Sequence, residues 1–141
     1  MKFSEISARD AFELLKRDDN SIIIDVRTEE EFNSVGIIDS SQFNNRMILL
    51  PWRTNPNMVA NPNFSASLQQ SLKQIFNDQD KNANLIFICR SGVRSSEAAM
   101  HAISLGYKNS FNLINGFEAA SKDHNPSLNG WKASNLPWRT R

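Results

Sequence analysis

The chain has 141 residues, 40% of them hydrophobic and 22% charged, a composition suited to one soluble domain with one core. Sixteen basic against fifteen acidic side chains leave a net charge of +1, which supports neither a nucleic-acid nor a membrane-surface role. A sole cysteine, Cys89, excludes an internal disulfide and fits a reducing cytoplasm; no apolar run approaches the ~20 residues of a membrane span, and Met1-Lys2-Phe3-Ser4-Glu5 lacks the apolar centre of a signal peptide.

Taken in order, Ser7-Ala8-Arg9-Asp10 reads as a capping box with aspartate in place of the usual glutamate. Ala8, Ala11, Phe12, Leu14 and Leu15 form the stripe of a helix ending near Asp18-Asp19-Asn20. Ser21-Ile22-Ile23-Ile24 is β-branched and apolar, the pattern of a buried parallel strand, and runs into Asp25-Val26-Arg27. Thr28 caps a short helix over Glu29 to Asn33, with acids at the end the helix dipole favours. Val35-Gly36-Ile37-Ile38 leads into a short strand, and Met47-Ile48-Leu49-Leu50 is another, ahead of Pro51-Trp52. Asn55-Pro56-Asn57 and Asn61-Pro62-Asn63 are loop signals. Leu68, Leu72, Ile75 and Phe76 recur at helical spacing and place a helix over Phe64 to Asn77, followed by a polar connection, Asp78 to Asn84.

Leu85-Ile86-Phe87-Ile88 is then a short apolar strand that ends on Cys89. The polar, basic run Arg90-Ser91-Gly92-Val93-Arg94-Ser95 follows, and Ser96 to Leu105 reads as a helix that stops at Gly106. A further strand over Ser110 to Ile114 reaches Asn115-Gly116, which turns the chain into Phe117-Glu118-Ala119-Ala120. Ser121 to Arg141 is polar and loop-like and carries Trp131, Pro137 and Trp138. Strands alternating with helices predict an α/β domain with a mainly parallel sheet and helices on both faces. Ligands of such sheets sit beyond the carboxyl ends of the strands, where Cys89 stands.

As a residue type, a free cysteine is most simply a small buried hydrophobe. The loop after it argues for chemistry instead. A thiol beside a helix N-terminus meets unpaired amides and the positive end of the dipole, and there it ionises more readily. Gly92 permits a turn that aims successive amides inward, and Arg90 and Arg94 add positive charge. Enzymes resembling tyrosine phosphatases place their arginine one residue further from the nucleophile, where this chain has Ser95. The tighter loop suits a smaller group, such as one sulfur atom.

The residues in this pattern resemble a single-domain rhodanese, a sulfurtransferase of the thiosulfate sulfurtransferase type. The resemblance rests on Ile23-Ile24-Asp25-Val26-Arg27 with Glu31-Phe32, on Ile88 to Ser95 with Ala98-Ala99, on Leu105 to Asn109, and on Leu113 to Phe117. It covers about residues 5–120 of one domain over 1–141, with a tail over 121–141 expected to pack on it. Gly130-Trp131-Lys132 and Leu136-Pro137-Trp138-Arg139 resemble an alphaproteobacterial rhodanese-like subgroup. The likeness implies a three-layer fold and a double displacement. Cys89 takes sulfur from a small anionic donor such as thiosulfate and passes it from a persulfide to cyanide, a thiol or a protein acceptor. Arg90, Ser91, Gly92, Val93, Arg94 and Ser95 form the loop around that sulfur, with no metal and no organic cofactor. Arg90 and Ser91 are expected to face the donor; Arg94 either does so or braces the loop against acids of the fold.

Two departures stand out. Val35 to Asp39 replaces the Gly-His-Ile-Pro run of many relatives, and Asn115-Gly116-Phe117 has one glycine where two are frequent. Asp25 and Arg27 are expected to form a structural ion pair, with Glu31 as another partner for Arg27. Ser95 is read as helix N-cap, loop donor or both. Phe117 is either pocket wall or core, His101 a packing residue, and the tryptophans ties between irregular segments and the core. Two other readings share the loop: a sulfur-relay or partner-binding module with little turnover, in which the Trp52–Asn63 insertion or the tail docks a partner, and arsenate reductase or phosphatase-like chemistry. The oligomeric state is not legible at this level.

Overall fold

The computed structural model describes residues 2–76 and 81–141. The elements in chain order are β1 (Ser4–Ile6), α1 (Ala8–Arg17), β2 (Ser21–Asp25), α2 (Glu29–Val35), β3 (Ile37–Ile38), β4 (Met47–Leu49), β5 (Arg53–Thr54), β6 (Val59–Ala60), α3 (Phe64–Phe76), β7 (Asn84–Ile88), α4 (Val93–Ser104), β8 (Ser110–Leu113) and β9 (Trp138–Arg139). The expected helix end at Asn77 and the start of the polar connection, 78–80, lie outside the described residues.

Five strands pair in parallel in the order β1-β8-β7-β2-β4. Every residue of β2 is buried, which is why its sequence runs apolar without alternation. Side chains still divide by the period of two. Ile22, Ile24, Leu85 and Phe87 pack on one face with Leu68 and Leu72 of α3 and Ala98, Ala99 and Ala102 of α4. Ile23, Ile86 and Ile88 pack on the other with Ala11, Phe12 and Leu15 of α1. Each of the fully buried isoleucines contributes about 1.5–3 kcal/mol of burial. The expected α/β architecture, a parallel sheet with helices on both faces, is the one observed.

Short polar segments are where sequence and structure part. β1 has a three-residue sequence, Ser-Glu-Ile, with no strand signal of its own, and it exists because β8 offers it an edge. The β5–β6 hairpin within the insertion after Trp52 is likewise made by pairing. The tail is mostly irregular, as expected, but it ends in a strand that the sequence did not signal. β9 pairs antiparallel with β3, and Trp131 is fully buried, edge-on to Phe12 at 5.8 Å, with its indole N–H donating to the Pro137 carbonyl at 2.7 Å. Trp131 thus ties the irregular tail to the α1 face, the packing role expected of it.

Candidate active site

Cys89 follows β7 directly and stands at the carboxyl end of the sheet. Val26 N–H donates to the Ile88 carbonyl at 2.9 Å and Trp52 N–H to the Val26 carbonyl at 3.1 Å, so the chain segments leaving β7, β2 and β4 are tied side by side at this end. The loop is tied from the other side by the turn after β8. Phe117 N–H donates to the Cys89 carbonyl at 2.8 Å and Glu118 N–H to the Arg90 carbonyl at 3.1 Å. With those carbonyls held, the loop brings one backbone amide to the sulfur. Gly92 N–H donates to Cys89 Sγ at 3.1 Å and Ser95 Oγ lies 3.2 Å from it.

Gly92 has φ +115° and is itself the N-cap, so α4 begins at Val93 rather than at Ser96. Ser95 is therefore inside the first turn. The N-cap is Gly92 instead, and the Ser95 hydroxyl oxygen sits beside the sulfur. Cys89 is only 1% exposed and packs among the apolar core, as a filler cysteine would. A backbone N–H donated to its sulfur, with a hydroxyl group beside it, sets it apart from such a residue, because an inert thiol gains little from either.

The two loop arginines both meet acids. Arg94 grips Glu31 of α2 through Nη1 to Oε1 at 2.6 Å and Nη2 to Oε2 at 3.0 Å, so it braces the loop. Arg90 is exposed, with Nε 3.3 Å from Glu118. Glu31 does not partner Arg27 as expected. Arg27 instead forms a fully buried pair with Asp25, through Nε at 2.9 Å and Nη2 at 2.6 Å, and lends Nη2 to the Gly36 carbonyl at 2.9 Å. Phe117 is core, fully buried, with the Arg27 guanidinium 4.1 Å from its ring centroid. Burial pushes the Asp25 carboxyl up from its ordinary value, and the contacts from Arg27 pull against that.

Desolvation alone would raise Glu31 as well. The Arg94 hydrogen bonds override it, helped by Thr28, whose N–H and hydroxyl complete a capping box with Glu31, and the carboxyl is held at about 2. Arg94 is correspondingly raised, first by its hydrogen bonds to Glu31. A carboxyl lowered from 4.5 to about 2 on folding stabilises the fold fully above pH 4.5 and loses that contribution as pH falls toward 2. Glu31→Gln should therefore cost on the order of 1–2 kcal/mol at neutral pH, allowing for solvent around a half-buried pair, and the difference from the parent should vanish near the lower value. Urea unfolding across that range measures it; a gap that stays constant with pH would contradict the assignment.

Trp52 packs edge-on against Phe64 at 4.8 Å and donates from Nε1 to Glu97 at 3.1 Å. With Arg53, Met100 and His101 it lines a groove of about 510 Å³ along α4. His101 bonds Ser65 at 2.6 Å and packs against Trp52 with the ring planes inclined at 50°, the packing role expected of it. Asn112 and Glu5 went unnoticed in the sequence. Asn112 is a polar residue at a core-facing position of β8, and that mismatch with its apolar surroundings was the available signal.

Residues 8–123 match the family described as Rhodanese-like domain. The chain is 36% identical over 141 residues to an uncharacterised protein of Rickettsia rickettsii, covering 99% of both. It is 26% identical over 127 residues to the thiosulfate sulfurtransferase GlpE of Coxiella burnetii, covering 90% of this chain and 94% of that protein. Among solved structures, Rv0390 of M. tuberculosis superposes with a TM-score of 0.79 at 30% identity, with both chains fully covered.

Proposed function

Since the chain belongs to the rhodanese-like domain family, we propose that it is a sulfurtransferase that carries one sulfane sulfur on Cys89. The single observation behind this is the Cys89 sulfur set between the Gly92 amide and the Ser95 hydroxyl at the start of α4. The Cys89 thiolate attacks the outer sulfur of a thiosulfate-like donor. The new S–S bond takes that sulfur as the old one breaks, and sulfite leaves with the bonding pair. The persulfide is anionic, and amides of the loop from Arg90 to Ser95 with the end of the α4 dipole stabilise it. A thiol or cyanide then attacks the outer sulfur and releases the thiolate. Arg90, exposed at the loop, meets the incoming anion, while Arg94 holds the loop through Glu31. Residues 1–141 act as one unit, the tail closing the α1 face, and the protein works in a reducing compartment.

Incubation with thiosulfate should add the mass of one sulfur atom to the intact chain, and cyanide should remove it as thiocyanate. Cys89→Ser should abolish both, while Arg90→Ala should weaken loading and its dependence on salt. A parent chain that gains no sulfur from thiosulfate, with Cys89 free, would refute donor activity toward that anion.

A further inference from the structure

Ser95 has one hydroxyl proton and two claimants for it. Its oxygen lies 3.2 Å from Cys89 Sγ and 2.5 Å from Asn112 Oδ1. Asn112 is 5% exposed, and its amide is oriented from the far side, where Nδ2 donates to Glu5 Oε2 at 3.1 Å. Glu5 and Asn112 are direct cross-strand partners in β1 and β8, so their side chains emerge on the same face. A carboxylate only accepts, so the amide nitrogen must face Glu5 and the amide oxygen must face Ser95. An amide oxygen also only accepts. The Ser95 proton is thereby drawn to Asn112, away from the sulfur.

We propose that Asn112, fixed by Glu5, is a positioning residue that makes the Ser95 hydroxyl sense whether Cys89 is loaded, and so favours the persulfide over the free thiolate. This rests on the sulfurtransferase reading above. In the free thiolate the charge sits on Sγ, which competes for the proton that Asn112 holds. In the persulfide Sγ is divalent and uncharged, and the negative charge has moved to the outer sulfur. Ser95 then donates to Asn112 without competition. The contact to Asn112 is complete only in the loaded form, and that difference biases the exchange of sulfane sulfur between sulfite and Cys89 toward loading. No atom is consumed by the device: thiosulfate and thiolate go to sulfite and persulfide, and only the direction of one hydroxyl changes.

The test is an equilibrium, read as the ratio of loaded to free chain by intact mass at fixed thiosulfate and sulfite. Asn112→Leu frees the Ser95 proton for the thiolate and is expected to lower that ratio about tenfold, the size of one hydrogen bond to a charged group. In a Ser95→Ala background the same substitution should change nothing, because the proton that reports the state is gone. Glu5→Ala, at an exposed position, releases the amide and should shift the ratio in the same direction by less, which keeps the test open if Asn112→Leu does not fold. An unchanged ratio in Asn112→Leu, or an equal drop with and without Ser95, would overturn the inference while leaving sulfur transfer intact. A parent chain that never loads would instead remove the reading beneath it.

Discussion

Arg27→Met is expected to cost about 3–5 kcal/mol of stability, the loss typical when one partner of a buried ion pair is removed. Arg27 and Asp25 are both fully buried, and the pair is forked, with Nε and Nη2 on the two carboxylate oxygens at 2.9 and 2.6 Å. Removal strands the Asp25 carboxyl in an apolar surround whose burial already pushes its proton affinity up. The Gly36 carbonyl loses its donor as well, and with it the anchor at the end of α2. Because α2 carries Glu31, and Glu31 holds Arg94, the damage reaches the Cys89 loop. Asp25→Leu combined with Arg27→Met should recover much of the loss, since an apolar pair leaves no charge unpaired. Urea unfolding of both variants measures this. A single variant as stable as the parent would show that the pair contributes nothing to the fold.

The parts of the fold legible in the sequence are those whose residues specify them locally. Ile22 to Ile24 and Leu85 to Ile88 are apolar enough to be buried strands in any parallel sheet, and both are. The cysteine loop was legible because a glycine and two arginines between a strand and a helix have little structural purpose. The partners of those arginines were not legible. Glu31 lies 63 positions from Arg94, and only the packing of α2 against the start of α4 decides that it meets Arg94 rather than Arg27. β1, β5, β6 and β9 are strands by pairing alone, with sequences that fit a loop equally well. Trp131 was legible as a tie between tail and core, but its partner, Phe12 of α1, 119 positions away, was not. Asn112 was the more readable miss, a polar residue facing the core of a sheet, where a partner is obligatory.

Gly116→Ala is expected to slow sulfur loading about a hundredfold, although residue 116 never meets a substrate. Its φ of +57° is left-handed, which costs an alanine about 1–2 kcal/mol. The larger problem is space. A Cβ there would lie 2.4 Å from the Cys89 carbonyl oxygen and 2.6 Å from the Arg90 carbonyl carbon and oxygen, and these are backbone atoms that no rotamer can move. The same two carbonyls accept from Phe117 and Glu118, so the turn and the cysteine loop must shift together or part. Either way the Gly92 amide and the Ser95 hydroxyl oxygen leave their places 3.1 and 3.2 Å from Sγ. Gly106→Ala is the control. Its φ of +99° imposes backbone strain too, but its Cβ would meet only the flexible Lys81 side chain, at 3.2 Å. Stopped-flow loading and thermal unfolding of the two variants should separate the effects: both lose stability, and only Gly116→Ala loses rate. Equal loading rates in the two variants would mean that the turn after β8 does not set the geometry of the cysteine loop.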